Sequence, residues 1–457
     1  MRRDLFIILQ LGLAFLLIFA AFNSQGFIEI AVLRSISQNP GSGISANSGY
    51  YSMSVIYFVF TFCNLLAPPV ISRLGPKLSM ILGAACYALF LAGFLQLSAW
   101  LLYSLSALLG MGAALIWTAN GVYLVRFSRE GKMARNSAIM WTMLQTSLVV
   151  GAIFLAIVLH ESDLVSSFRF VYAIFTGICV AGIIVLIALP SSPESIIFDE
   201  ERAELIDNEI LPGDAEQQRP PSRNVADIST MTLAEEFGQT FALVRTPKMA
   251  MLIALFLFSG IESSFYAGVY TACLSAFKHL SDTYNALIAY AVLAMGAGQI
   301  VGGLWFGLGA KTPSKFGRTG VVMFGIALHF TAYFLCFLNL PMTAPLGDTT
   351  ETGYVEPSLV TALITAFMLG LADSALHTQL YTMLGGIYKD ELSSAAFALF
   401  KFFQSLASCA AFYYGSVLLL HWQLLILVIF GAAGAVAFFT VHAWASQEIQ
   451  TLETTEQ

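Results

Sequence analysis

The chain has 457 residues, of which 58% are hydrophobic and only 11% are charged, against roughly 25% charged in an ordinary soluble domain. That composition excludes a water-soluble enzyme and points to a chain dissolved mainly in lipid, so the bilayer is its first expected partner. The formal net charge of −7 and its acidic clustering argue against nucleic acid as a ligand.

A helix crossing the hydrocarbon core needs about 20 predominantly apolar residues, because every backbone amide there must bond within its own helix. Twelve stretches qualify, approximately 5–33, 50–72, 78–97, 99–125, 136–160, 168–189, 248–277, 283–309, 319–340, 357–386, 392–419 and 422–445. The first begins Met1-Arg2-Arg3, as a secretory signal peptide also does. Its apolar run from Leu5 to Phe22 exceeds a typical h-region of about 7–15 residues, and the stretch is expected to remain as a span. It carries Asn23 and Gln25 and, later, Glu29 and Arg34, which are expected to form a rim pair at the exoplasmic mouth.

The loop after span two reads Ser72-Arg73-Leu74-Gly75-Pro76-Lys77. Span four contributes Asn120, and span five contributes Thr142, Gln145 and Thr146, all uncharged. Residues 190–247 then hold twelve acids against Arg202, Arg219, Arg223 and Arg245, together with Pro190, Pro193, Pro212, Pro220 and Pro221. This is the composition of a solvated connector, and it leaves the remainder of the chain about neutral. The expected division is a six-helix half over 1–189, an acidic cytoplasmic linker over 190–247, a second half over 248–446 and a tail over 447–457.

Ionisable residues inside spans concentrate after the linker. Glu262 lies within span seven, Asp373 and His377 lie in span ten four residues apart, and Lys401 lies in span eleven with Gln404, Ser405 and Ser408. The i, i+4 spacing puts Asp373 and His377 on one helical face. A charge near the bilayer centre costs about 2.5–3.5 kcal/mol on insertion scales, so each such residue should face a cavity or a partner. Two readings stand. In one, Glu262 and Asp373 bind a cation or titrate while Lys401 attracts an anionic group; in the other, Lys401 is the structural ion-pair partner of one of those acids. His329 and His377, each taken alone, are expected to be satisfied core histidines. Span eight is rich in glycine (Gly296, Gly298, Gly302, Gly303, Gly307, Gly309), with the G-x-x-x-G spacing that lets helices approach closely.

The six cysteines lie one each in apolar stretches, without a C-x-x-C pair, and read as small core residues. No N-x-[ST] acceptor, nucleophile elbow, P-loop, H-E-x-x-H or EF-hand pattern occurs. No catalytic residue, cofactor or metal is therefore expected. Orientation follows from positive charge. With the N-terminus cytoplasmic, the short cytoplasmic segments hold Arg2, Arg3, Arg73, Lys77, Arg126, Arg129, Lys132, Arg135, Lys248, Lys311, Lys315, Arg318 and Lys389, whereas the opposite side holds Arg34, Arg169 and Lys278. Both termini are then cytoplasmic, and the sequence does not say in which membrane.

Six spans, a polar linker and six more spans are the arrangement of a major facilitator, whose halves are repeats about an axis along the membrane normal. A shift of 259 between spans five and eleven superposes Trp141 on Phe400, Thr142 on Lys401, Gln145 on Gln404 and Thr146 on Ser405; likewise Gly83 with Tyr87 in span three matches Gly325 with His329 in span nine. The loop after span two resembles the major facilitator loop signature, with Ser72 where an acid belongs and Pro68 where the first glycine belongs; Lys315-Phe316-Gly317-Arg318 is its equally degenerate counterpart.

More specific motifs run through nearly the full length. They are Gly49-Tyr-Tyr-Ser-Met-Ser-Val-Ile-Tyr57, Gly75-Pro-Lys-Leu-Ser-Met80, Arg135-Asn-Ser with Trp141 and Gln145, Gly370-Leu-Ala-Asp-Ser374 with Thr378-Gln-Leu380, Phe397-Ala-Leu-Phe-Lys-Phe-Phe-Gln-Ser405, and His421-Trp-Gln-Leu-Leu425 followed by Phe430-Gly431. Together they resemble the Unc-ninety-three family, the ion channel regulatory protein group of the major facilitator superfamily. The resemblance implies an all-α membrane protein with the major facilitator fold and twelve transmembrane helices in two six-helix pseudo-repeats. It also implies a choice of functions, since members of that family act as regulatory subunits of a potassium channel or as a trafficking escort of receptors. Against that pull, the intramembrane carboxylates and lysine are costly to retain without use, so the expected function is a transporter-like protein, an ion-coupled small-solute carrier using a proton or sodium gradient around a midplane site. The alternative is a non-transporting regulator or escort of a membrane-protein partner. Candidate cavity residues are Asn23, Gln25, Asn120, Gln145, Glu262, Asp373, His377, Lys401 and Gln404.

Overall fold

The computed structural model describes residues 2–38, 43–128, 133–161, 164–191, 242–284, 286–308, 317–388 and 391–455. Residues 192–241, which hold nearly all of the acidic linker, lie outside the described residues, as do Lys315 and Phe316 of the second loop signature. Twelve long helical segments make up almost everything described: α1 Arg2–Ser37, α2 Ser48–Leu74, α3 Pro76–Gly93, α4 Ala99–Arg126, α5 Met133–Glu161 and α6 Leu164–Ile187. After the linker, α7 runs from Pro247 to Ala276 with a π turn at Phe265–Val269, and α8 runs from Leu287 into a π turn at Gly303–Leu308. They are followed by α9 Gly317–Asn339, α10 Leu359–Ile387, α11 Glu391–Gly415 and α12 Leu420–Thr455. Eleven of these are long and apolar enough to cross a membrane; the apolar stretch of α5 is the shorter Thr142–Val158. The last helix continues through the segment expected as a tail.

Local chemistry explains where the helices turn. Gly75 adopts a φ of 79°, a region open to glycine at little steric cost, and Pro76 follows at the first helical position of α3, where its missing amide hydrogen is not needed. A single residue thus separates α2 from α3. Ser72, at the position of the signature acid, bonds its Oγ back to the Pro69 carbonyl at 2.9 Å. At the start of α10, Ser358 Oγ accepts the Thr361 amide at 3.2 Å as an N-cap, while Asn339 accepts the Ser358 amide at 3.0 Å and clamps the end of α9 to it.

The packing repeats itself. In the first set α1 packs on α5 and α6, α3 on α4 and α6, and α2 on α4; in the second, α7 packs on α11 and α12, α9 on α10 and α12, and α8 on α10. Adding six to each label of the first set gives the second. The sets meet through α2 with α11, α5 with α8, and α1 with α7, again a pattern that exchanging the halves leaves unchanged.

Glycines permit the closest crossings. A Cβ on Gly370 would stand 2.0 Å from the Met295 carbonyl oxygen, and one on Gly298 would stand 2.1 Å from that of Phe367, so α8 and α10 touch backbone to backbone. Gly302 also lies against Ser374, whereas Gly303 meets nothing within 4 Å. In the first half Gly110 plays the part of Gly370, against the Ile56 carbonyl oxygen at 2.6 Å.

One end of the bundle is capped by the segment between α9 and α10. Its Thr349 pairs with Phe277 in an isolated parallel bridge, Asp348 accepts from Lys278 at 3.0 Å, and the Met342 carbonyl accepts the Leu420 amide at 2.9 Å. The first half joins the same cap. Arg34 donates from Nη2 to the Pro345 carbonyl at 2.6 Å, and the Tyr50 hydroxyl donates to the same oxygen at 3.2 Å. The expected rim pair of Glu29 and Arg34 does not form: both side chains are buried, Glu29 accepts from Gln25 on the previous turn, and Arg34 is spent on the cap. The reason is helical phase, since residues five apart do not share a face.

Candidate functional site

Glu262 sits near the middle of α7 and His329 near the middle of α9; both are fully buried. His329 Nε2 lies 3.0 Å from Glu262 Oε1, and Nδ1 lies 3.0 Å from the Gly325 carbonyl one turn earlier. Phe258 meets the imidazole edge-on with ring centroids 5.5 Å apart. A carbonyl can only accept, so Nδ1 carries a hydrogen. A further proton must then lie between Nε2 and Oε1, because two lone pairs do not approach to that distance.

Asp373, near the middle of α10, is held from two sides. Gln299 of α8 donates from Nε2 to its Oδ2 at 3.1 Å. His377 Nδ1 stands 2.9 Å from Oδ1, although its hydrogen bond of good geometry goes to the Asp373 carbonyl at 3.2 Å. On its other nitrogen His377 meets Gln404 Nε2 of α11 at 3.4 Å, and Lys401 Nζ donates to Gln404 Oε1 at 2.9 Å. An ammonium has no lone pair, so Lys401 fixes which way the Gln404 amide points. The amide nitrogen then donates to His377 Nε2, and the ring hydrogen resides on Nδ1, facing Asp373. A relay of five side chains, Lys401, Gln404, His377, Asp373 and Gln299, crosses from α11 through α10 to α8.

The two parts are one cluster. Glu262, Asp373 and His377 each offer a ligand atom within 4.8 Å of the others. Glu262 Oε2 keeps no hydrogen bond, and Asp373 Oδ1 meets only the ring of His377, at 2.9 Å, in residues exposed by 0% and 6%. Lys401 pairs with neither acid. Its amine lies 4.9 Å from the Phe400 ring centroid and 5.9 Å from that of Tyr381, a cation–π setting, so the expected alternative of a structural Lys401 ion pair is not what forms. His329 and His377, expected as satisfied core histidines, have partners on both ring nitrogens, and one partner of each is a buried acid. The i, i+4 spacing puts Asp373 beside His377, whereas the acid that meets His329 lies on another helix, out of reach of any spacing rule.

The first-half candidates stand apart from this cluster. Asn23 donates to Ser147 Oγ at 3.4 Å, joining α1 to α5. Gln25 is buried against Glu29, and Asn120 reaches Met140 Sδ at 3.6 Å. Gln145 is half-buried. None exchanges a hydrogen bond with the second-half cluster among the described residues. Two cluster residues, Gln299 and His329, are not among the candidate cavity residues, and His329 reads from the sequence as a core histidine. Gln299 lies in the glycine-rich run of α8, where packing dominates the pattern, and His329 had a signal in its alignment with Tyr87 across the repeat.

Comparison with known proteins accords with this geometry. The family model described as "Ion channel regulatory protein UNC-93" matches residues 39–439. The chain is 36% identical to UNC93-like protein MFSD11 of Xenopus laevis, over 96% of both chains. It is 25% identical to Protein unc-93 homolog A of Homo sapiens, over 94% of this chain and 91% of that one. Among solved structures it is similar to a POT family transporter in complex with 5-aminolevulinic acid, with a TM-score of 0.62, 12% identity and 96% of each chain covered. It is also similar to the nucleoside transporter NupG, with a TM-score of 0.62, 14% identity, and 95% of this chain and 99% of that one covered. These likenesses give the fold as that of the major facilitator transporters. The chain is a multi-pass membrane protein that belongs to the UNC-93 family.

Proposed function

We propose that this protein is an ion-coupled carrier of a small solute, working by alternating access of an N-terminal half (1–189) and a C-terminal half (248–446) joined by the acidic linker (190–247), with both termini cytoplasmic, and that it is not an enzyme. The observation that carries the reading is the cluster of Glu262, Asp373 and His377, which brings two buried carboxylates and an imidazole together at the middle of their helices, with Glu262 Oε2 left without a hydrogen bond. Ionisable groups so placed are costly in a membrane protein, and a stable fold alone does not require them. A cation offsets that cost when bound, and its arrival or loss alters the charge at the interface on which the halves rock. Asn23, Gln25, Asn120, Gln145 and Gln404 supply neutral polar groups for the solute, and Lys401 supplies a positive one. The transporters named above share the fold, which supports the mechanism and leaves the solute open.

The test is uptake of pooled metabolites into liposomes holding purified protein, under an imposed proton or sodium gradient. Gradient-dependent uptake that disappears in Asp373→Asn and Glu262→Gln is the expected result; equal uptake by wild type and both variants removes the cluster from the mechanism. A second reading, a regulator or escort of another membrane protein, draws support from the description of the matching family and from Ser72, whose hydroxyl is turned back onto its own helix where the loop signature has an acid. It predicts a partner that co-purifies under mild solubilisation, with no gradient-driven flux from folded protein.

A further inference from the structure

We infer that Glu262, Asp373 and His377 form a binding site for a divalent first-row transition-metal ion, the cation of the coupled-carrier reading on which this inference builds. The donor set is two carboxylates and an imidazole whose ligand atoms already lie within 4.8 Å of one another. Ligands at about 2.0–2.2 Å from a zinc-sized ion stand roughly 3–4 Å apart, so small side-chain rotations close the site.

The surroundings are arranged as a ligand-orienting shell. Each carboxylate has one oxygen held by a nitrogen, Glu262 Oε1 by His329 at 3.0 Å and Asp373 Oδ2 by Gln299 at 3.1 Å. The other oxygens face the proposed site: Glu262 Oε2 is buried without a hydrogen bond, and Asp373 Oδ1 lies 2.9 Å from His377 Nδ1, the third ligand atom. Outer partners that fix one oxygen and leave the other turned to the remaining ligands are what ligating carboxylates require. Two carboxylates match the charge of a divalent ion once the proton shared by Glu262 and His329 has been released, as metal binding requires. Calcium takes six to eight oxygens, more than this site holds, and a neutral imidazole nitrogen favours zinc, iron or nickel over a hard cation.

Binding would also be felt at Lys401. Ligation through Nδ1 moves the ring hydrogen of His377 to Nε2, where it meets the Gln404 amide nitrogen. The amide then turns its oxygen to the ring, and Lys401 loses the acceptor it holds at 2.9 Å. An occupied metal site thereby frees a positive charge for an anionic solute.

The experiment is equilibrium dialysis of the full chain in nanodiscs against Co2+, with Zn2+ and Mn2+ as competitors, bound metal being counted per chain and the visible absorption of Co2+ recorded. One saturable equivalent is expected in wild type, absent from the Glu262→Gln/Asp373→Asn double variant, and weakened about 10- to 100-fold in the outer-shell variant His329→Gln. Lys401→Met removes a neighbouring positive charge and no ligand, so it is expected to tighten Co2+ binding, and it keeps the inference testable if ligand variants fail to fold. Metal bound equally by wild type and double variant is adventitious and overturns the inference, as does an affinity untouched by Lys401→Met where the ligand variants do not fold. Gradient-driven solute uptake that persists in chelated, metal-free liposomes with no Co2+ bound sinks the metal site and leaves the carrier. Co2+ binding without any flux has the opposite meaning.

Discussion

Matched positions in the two halves hold the same packing and different chemistry. Gly83 lets α3 press on Gly112 of α4, and Gly325 lets α9 press on Ala375 of α10. Thr146 Oγ1 bonds back to the Thr142 carbonyl at 2.8 Å, and Ser405 Oγ bonds back to the Lys401 carbonyl at 2.7 Å. One turn beyond those glycines the halves part. Tyr87 packs edge-on against Phe22 of α1 with centroids 4.7 Å apart, while His329, its counterpart, is bound to Glu262 of α7. The repeat therefore conserves what close helix packing needs, small residues and internally satisfied hydroxyls. The cluster of Glu262, Asp373 and His377 lies in one half, while the first half buries Glu29 and Arg34 of α1 away from it.

The largest effects should be those the halves share. Gly370→Leu in α10 and Gly110→Leu in α4 both drive a side chain into a facing backbone, and overpacking of this kind costs about 1–3 kcal/mol or more. Each variant should lose its monodisperse peak on size-exclusion chromatography, and survival of either would show that these crossings can relax. Function should then split the halves. Asp373→Asn is expected to lower gradient-driven uptake by about 10- to 100-fold, the weight of a hydrogen bond to a charged group. Gln145→Ala should lower it far less, and equal losses would erase the asymmetry.

A smaller contrast is expected in stability. His329→Phe leaves Glu262 Oε1 without its donor, a desolvation cost of about 1–3 kcal/mol, whereas Tyr87→Phe keeps the ring and its aromatic neighbours, loses only the hydrogen bond with Trp117, and should cost about 1 kcal/mol or less. The smallest is at the hydroxyls. Ser405 receives a bond from Thr61 of α2 at 2.9 Å, so Ser405→Ala should cost about 1 kcal/mol. Thr146 at the matched position bonds only within its own turn, and Thr146→Val should change thermal stability by less than half as much.

The fold was open to inspection in the sequence because lipid imposes a rule that residues must obey one at a time. A spanning helix has to be apolar over its length, so twelve stretches, the turn at Gly75 and the glycines of α8 can be found by counting. The repeat of Gln145 on Gln404 and of Tyr87 on His329 was visible by the same means. The site was legible only as a list. Glu262, Asp373, His377 and Lys401 declare themselves by their cost in an apolar span, but whether Lys401 neutralises an acid or holds Gln404 is not a property of span eleven.

That choice belongs to tertiary structure, for a physical reason. Hydrogen bonds and ligand geometry are decided at about 3 Å, and residues 67 apart, as Glu262 and His329 are, reach that distance only through the crossing of α7 and α9. Helical phase, set by the local backbone, carried Arg34 away from Glu29 and into the cap around Pro345. Packing of α8 on α10, permitted by Gly298 and Gly370, brought Gln299 to Asp373. The sequence by itself determined a twelve-helix membrane protein with costly polar residues in its second half; the crossings alone decided that those residues meet, with Glu262 Oε2 left without a hydrogen bond and Asp373 Oδ1 facing the His377 ring.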